Sequence, residues 1–136
     1  MAQITFGVSV QVPNGPQMAL TGTQAAEAYD KVELTLEPGG GGASEVSIEM
    51  QPAAVAAVKL VLIKSSIYGA DITYKLSDGT TDSAAVALDA PLLLLGSAVA
   101  LCGVAPKILK IKNAFPAADA TKKAALEILV GRDATP

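Results

Sequence analysis

Ile4, Phe6, Val8, Val10 and Val12 alternate without a break with Gln3, Thr5, Gly7, Ser9 and Gln11. A period of two puts the apolar side chains on one face of a strand, whereas a helix would repeat them every three or four residues. The following Pro13-Asn14-Gly15-Pro16 ends the strand, because proline removes ladder donors and Asn-Gly tolerates the positive φ of a tight turn. A chain that begins this way is committed to a sheet.

The same signal recurs downstream. Met18 and Leu20 suggest a short edge strand after the turn; Val32, Leu34 and Leu36 alternate with Lys31, Glu33, Thr35 and Glu37; Val46, Ile48 and Met50 follow beyond a Pro38–Gly42 loop. Val58 to Ile63 is nearly all apolar, as expected of a central strand covered on both faces. Ile72, Tyr74 and Leu76 face Ala84, Val86 and Leu88 across a polar, glycine-containing turn, which reads as a hairpin. Leu92–Leu95 and Val99–Leu101 read as two short strands around Gly96-Ser97. Leu109 and Ile111 point one way, and Ile108, Lys110 and Lys112 the other.

The last element has two readings. Thr121 to Ile128 holds good helix formers behind a cap at Asp119, yet Leu126, Ile128 and Val130 alternate with Glu127 and Leu129. The alternation favours a strand over 125–130. The total is about nine or ten short strands in one domain over residues 1–136, an all-β fold of the antiparallel β-sandwich, jelly-roll-like kind. Alternation nominates Ile4, Phe6, Val8, Val10, Val32, Leu34, Leu60, Leu62, Ile72, Leu76, Val86, Leu88, Ile128 and Val130 for the core. On that basis Val8→Asp should unfold the domain.

Composition limits the chemistry. The chain has no histidine, no tryptophan and one cysteine, Cys102. It therefore lacks the commonest general base and zinc ligand, and an internal disulfide. Of the apolar residues 25 are alanine and 35 are Val, Ile or Leu, so the core will be thin and aliphatic. A net charge of −3 argues against nucleic acid or anionic lipid as the main partner. Residues 1–58 contain one base, Lys31, and six acids, while the remainder is weakly basic. Folding either mixes these segments over one surface or sets acidic and basic faces of neighbouring copies together. Met1 to Val12 alternates and has no basic lead, so export through the general secretory route is not expected. The uncharged run Ala90 to Pro106 is broken by Pro91, Gly96 and Gly103 and is too short to span a bilayer.

No side-chain constellation reads as a reaction centre. Gly39, Gly40, Gly41 and Gly42 lack the Gly-Lys-Ser/Thr of a phosphate loop, and read as a hairpin loop able to order on contact. Asp78 and Asp82 do not have calcium-loop spacing. Lys64-Ser65-Ser66 reads as a strand end, and Glu45 with Glu49 as a solvated face. Lys107, Lys110 and Lys112 form a basic cluster without interleaved aromatics, suited to an outward strand face or an acidic protein surface. Cys102 has no charged neighbour to stabilise a thiolate and reads as a buried, inert thiol. No cofactor or metal and no enzymatic activity is expected. The candidate contacts for a partner are the outward residues of the first strand, Gln3, Thr5, Gly7, Ser9 and Gln11, together with the glycine loop and the three lysines.

Leu62-Ile63-Lys64-Ser65-Ser66-Ile67-Tyr68-Gly69, the hairpin Tyr74-Lys75-Leu76-Ser77-Asp78-Gly79, Leu88-Asp89-Ala90-Pro91 and the ending Glu127-Ile128-Leu129-Val130-Gly131-Arg132-Asp133 together resemble small all-β accessory virion proteins of tailed bacteriophages. That resemblance implies a capsid decoration or cement protein on the outside of the virion, made in the host cytoplasm, with the major capsid protein and its own copies as partners. The lattice positions of such shells make a trimer the first expectation and a dimer the second. A tail or fibre component is the alternative. A carbohydrate-binding module comes behind it, since only Tyr29, Tyr68 and Tyr74 could stack on a sugar. The resemblance carries no catalytic residues.

Overall fold

Ten strands account for the fold of this computed structural model, which describes residues 2–50 and 58–133. They are β1 (Ala2–Gln11), β2 (Gln17–Ala26), β3 (Ala28–Leu36), β4 (Val46–Glu49), β5 (Val58–Ser65), β6 (Gly69–Ser77), β7 (Val86–Leu88), β8 (Leu92–Leu95), β9 (Ile108–Asn113) and β10 (Ala124–Arg132). All pairings are antiparallel.

Eight of the strands form two four-stranded sheets, one in the order β3-β10-β5-β8 and the other β4-β9-β6-β7. The pairs β3–β10, β4–β9, β5–β8 and β6–β7 are nested, the outermost in sequence paired with each other and the innermost likewise. Such nesting is what results when one long antiparallel ribbon is rolled up, and it defines a jelly-roll sandwich. The chain is all-β, as the alternation requires.

The core lies between the two sheets. From the first come Leu36, Val61, Ile63, Leu94, Leu126, Ile128 and Val130; from the second, Ile72, Tyr74, Leu76, Leu88, Leu109 and Ile111. Aliphatic side chains dominate, and Tyr74 is the one buried aromatic among the described residues. Burial raises the Tyr74 phenol above its ordinary pKa, with smaller contributions from Cys102 and Asp89.

A buried amide ties the two sheets at one end. Asn113, 2% exposed, donates to the carbonyls of Leu36 (3.1 Å) and Lys122 (2.7 Å) and accepts the Phe115 N–H (3.1 Å). Its side-chain hydrogen-bonding capacity is thereby largely used within the protein, as burial demands.

Several expectations change. The final segment is a strand, longer at both ends than the expected 125–130, and Asp119 caps only a short 3-10 turn at Ala120–Lys122. No strand forms over Val99–Leu101: Gly96–Ala100 is a 3-10 helix that begins with Gly96 at φ +58°, a backbone conformation that glycine reaches without steric cost. The edge strand expected near Met18 and Leu20 runs the full length of Gln17–Ala26. Among the nominated core residues, Leu60, Ile72, Leu76, Leu88, Ile128 and Val130 are buried, while Val32 and Leu34 pack on the core from its edge. Leu62 faces outward and is half-buried, and Val86 is 37% exposed at a sheet edge. Ile4, Phe6 and Val8 are only half-buried and Val10 is 60% exposed, so the first strand lies outside the core. The reason is topological. Among the described strands β1 pairs only with β2, in a two-stranded sheet apart from the two four-stranded ones, and its outer residues 9–11 are exposed.

Candidate interaction surface

β1 and β2 form a two-stranded arm in continuous register from Ala2↔Ala26 to Gln11↔Gln17. Ten paired residues at about 3.4 Å each make it roughly 34 Å long. At its tip Val12 N–H donates to Pro16 O (3.0 Å), Gly15 N–H donates to Val12 O (2.8 Å), and Asn14 takes a positive φ of 58°. The expected turn is therefore present, and it folds the strand back on itself.

Register sorts the side chains. One face of the arm carries Ile4, Phe6, Val8 and Val10 opposite Gln24, Gly22, Leu20 and Met18. The other carries Gln3, Thr5, Gly7, Ser9 and Gln11 opposite Ala25, Thr23, Thr21, Ala19 and Gln17. On the first face the Phe6 ring lies over Gly22. Beyond that pair the face is open: residues 9–21 are all exposed, including Met18 at 71% and Leu20 at 48%. No charged residue occurs before Glu27.

Among the described residues only the base of the arm touches the sandwich. Glu27, between β2 and β3, donates its N–H to Arg132 O (2.9 Å), and there the chain exchanges β1 for β10 as its partner. Ile4 and Ala26 rest directly on Gly131: a Cβ at Gly131 would lie 2.7 Å from Ile4 Cδ1 and 3.5 Å from Ala26 Cβ. A side chain at position 131 would require the end of Ile4 to turn aside. Leu60 lies beside them and is buried.

Gly131 and Leu60 are on the outer face of the first sheet. The adjacent row on that face is Lys31, Leu129, Leu62 and Leu93, in register across four strands. Its three leucines are half-buried. A small hollow of about 160 Å³, lined by Lys31, Leu62, Lys64, Glu127, Ile128 and Leu129, opens on this row. The charges at its rim are already paired, Lys31 with Glu33 (3.0 Å) and Glu127 (3.7 Å), and Lys64 with Glu127 (3.6 Å). Glu33 raises the Lys31 pKa, chiefly through its hydrogen bond.

The outer face of the second sheet is polar. Lys110 bonds both carboxylate oxygens of Asp82 at 2.9 Å, and Lys75 lies 3.4 Å from Glu45. The Lys110 hydrogen bond holds the Asp82 carboxyl below the usual range. Backbone N–H groups of Thr81 and Thr80 do the same for Asp78.

The structure thus separates the expected contact residues. Gln3, Thr5, Gly7, Ser9 and Gln11 are exposed, on the polar face of the arm. Lys110 and Lys112 are on the outer face of the second sheet, with Lys110 engaged by Asp82, and Lys107 precedes β9 beside Gly79. The glycine loop is bound to the sandwich: Gly39 N–H donates to Asn113 O (3.0 Å), Gly40 N–H to Phe115 O (2.9 Å), and Gly40–Gly42 form a 3-10 turn. Gly39 and Gly40 are thus tied to the sandwich, while Gly41 and Gly42 are exposed. These groups do not form one site.

Other candidates resolve into structural roles. Ser66 Oγ accepts the Ala125 N–H (2.9 Å) and Ser65 Oγ accepts the Ile67 N–H (3.3 Å), leaving no Ser-Lys pair. Cys102 is half-exposed rather than buried, on the turn after the 3-10 helix. Among the described residues no three Cys, Asp or Glu side chains are grouped to hold a metal ion. No helix among them is long and apolar enough to cross a membrane. The acidic amino-terminal half interleaves with the basic remainder through Lys123–Glu37 (3.6 Å), Lys75–Glu45 and Arg132–Asp30, so within one copy the two segments share one surface.

Met18 and Leu20 on the arm, and Leu62, Leu93 and Leu129 on the sheet, are surface residues that the sequence did not nominate as contacts; it placed Leu62 in the core. Two signals bear on the arm: the absence of charge before Glu27, and the continued alternation through Met18, Leu20 and Gly22. No signal marks the leucine row, because it is assembled from three strands distant in sequence. Neither a protein-family model, nor a curated protein, nor a solved structure matches the chain.

Proposed function

We propose that this chain is a non-enzymatic structural protein of a tailed-phage particle, a decoration or cement protein on the outer surface of the capsid that stabilises the head by bridging major capsid subunits. One observation carries the reading: an uncharged arm about 34 Å long whose apolar face is exposed over its outer part, residues 9–21, and which among the described residues is anchored only at its base. A monomer that works alone in solution gains nothing from such a face, which exposes apolar area and two unpaired strand edges. A protein that acts by joining neighbours needs one.

The jelly roll agrees with this reading by analogy, since the fold is common in viral capsid and lectin domains, though fold does not determine function. The resemblance of the Leu62–Gly69, Tyr74–Gly79 and Glu127–Asp133 segments to phage accessory proteins supplies the particle. Among the tyrosines Tyr29 is open at 61% exposure, while Tyr74 is buried and Tyr68 is half-buried with its hydroxyl accepting the Ser65 N–H. A stacking platform for sugars is therefore not favoured.

The physical effect follows from linkage: a protein that binds the assembled shell and not its separated subunits shifts the equilibrium toward assembly. The test mixes purified protein with expanded capsids that lack it and measures stoichiometry and capsid melting. Saturable binding at a few copies per capsomer with a raised melting temperature is expected. No binding to heads, with labelling of tails instead, would move the protein to a tail or fibre role.

A further inference from the structure

We infer that the bare apolar face of the arm is covered by a second copy of this chain: the arm of one protomer lies, apolar face down, on the leucine row at the outer face of its neighbour's first sheet.

The first argument is continuity. The face that carries Val10, Met18 and Leu20 is the same face that, at its base, places Ile4 and Ala26 on Gly131 beside Leu60. The arm therefore already packs on this kind of surface in its own copy. The next row on that surface, Leu129, Leu62 and Leu93, is left half-buried. One protomer thus displays both an uncovered donor and an uncovered acceptor of matching character.

Dimensions and charge agree. Val8 to Val12 spans about 14 Å, and the three leucines, on neighbouring strands, span about 10 Å. The arm brings no charge, and the charged rim of the acceptor is paired among Lys31, Glu33, Lys64 and Glu127, so docking would bury no unpaired ion. A partner with a charged docking surface would leave its charges unanswered by the arm.

Area favours a reciprocal form of the assembly. Stable interfaces bury roughly 1,200–2,000 Å² in total. A reciprocal pair, in which each copy both gives an arm and receives one, sets two arm contacts in one interface, twice the area of a single one-way contact.

The inference does not rest on the virion reading, since copies can associate whether or not they bind capsids, and the experiment below uses the isolated protein. Sedimentation would be measured for the full chain and for Leu20→Asp and Leu62→Asp, with circular dichroism to check folding. The expected result is an oligomer at tens of micromolar that either substitution weakens at least tenfold while the β spectrum is kept. Gln17→Asp, on the other face of the arm, should leave association unchanged and serves as the control. In a Cys102→Ser background, Met18→Cys with Leu62→Cys should give disulfide links between chains. A strict monomer would assign the face to a different protein and overturn the inference. So would an oligomer insensitive to Leu20→Asp and Leu62→Asp, or a disulfide formed only within one chain, which would mean that the arm folds back on its own sheet.

Discussion

β10 and β1 are built on the same alternation, yet Ile128 at the middle of β10 is fully buried and Val10 near the end of β1 is 60% exposed. Between the alternating apolar residues β1 has Gln3, Thr5, Gly7, Ser9 and Gln11, whereas β10 has Glu127 but also Ala125, Leu129 and Gly131, and both lie in antiparallel sheets. They differ in what lies across from them. β10 is the second strand of a four-stranded sheet whose inner face meets another sheet, whereas β1 belongs to a two-stranded arm held at its base. A period of two decides which side chains share a face. Whether that face is covered is decided by distant parts of the chain.

The largest effect expected from this contrast comes from truncating equivalent apolar positions in the two regions. Ile128→Ala should cost about 2–5 kcal/mol, through lost burial and the cavity left behind. Val10→Ala should change stability by less than about 0.5 kcal/mol in the monomer. Urea denaturation at low protein concentration would measure both, and equal losses would erase the distinction. For the same reason the expectation that Val8→Asp unfolds the domain is withdrawn, because that side chain is half-exposed on the arm.

A smaller loss is expected at Asn113. Asn113→Ala removes a buried side chain that serves the Leu36 and Lys122 carbonyls and the Phe115 N–H. The expected cost is about 1–3 kcal/mol by denaturant titration, with no effect on how the arm behaves. Gly131→Ala does the reverse. Its Cβ would meet the end of the Ile4 side chain, which must turn aside, so the base of the arm should loosen at a cost of up to about 1 kcal/mol while the sandwich persists. Proteolysis in the arm, slightly faster than in the parent chain, would report the loosening.

The smallest effect concerns charge on the second sheet. The folded Asp82 carboxyl titrates below its ordinary range because of Lys110, so the pair's contribution is present above the unfolded carboxylate pKa and fades as pH falls through the depressed one. Asp82→Asn should lower Tm slightly at pH 6, and the gap should close on acidification toward pH 2. Because the pair is near the surface, added salt should also narrow it.

Much of the sandwich was legible in the sequence because its signals are local. The 72–76 strand and its partner, the Asn14-Gly15 turn, the outward lysines of β9 and the final strand each follow from a few neighbouring residues. Two local features misled. Val99–Leu101 has the composition of a strand, but Gly96 starts a 3-10 turn. The glycine loop reads as free of the sandwich, but the carbonyls of Asn113, the last residue of β9, and of Phe115 just beyond it accept the Gly39 and Gly40 N–H groups. The candidate surface was legible only in part. The notable feature of the arm is the missing charge along its length rather than the polar residues Gln3 to Gln11, and its proposed acceptor joins Leu62, Leu93 and Leu129 from three strands.

The central claim, that the sandwich stands alone while the arm awaits a neighbour, is tested most directly by amide hydrogen exchange followed strand by strand across protein concentration. The account predicts that β5, β9 and β10 amides stay protected at every concentration. The β1 and β2 amides from Val8 to Leu20 should exchange rapidly in dilute solution and slow by at least tenfold as concentration rises. Arm amides as protected as those of β10 in a dilute monomer would contradict it.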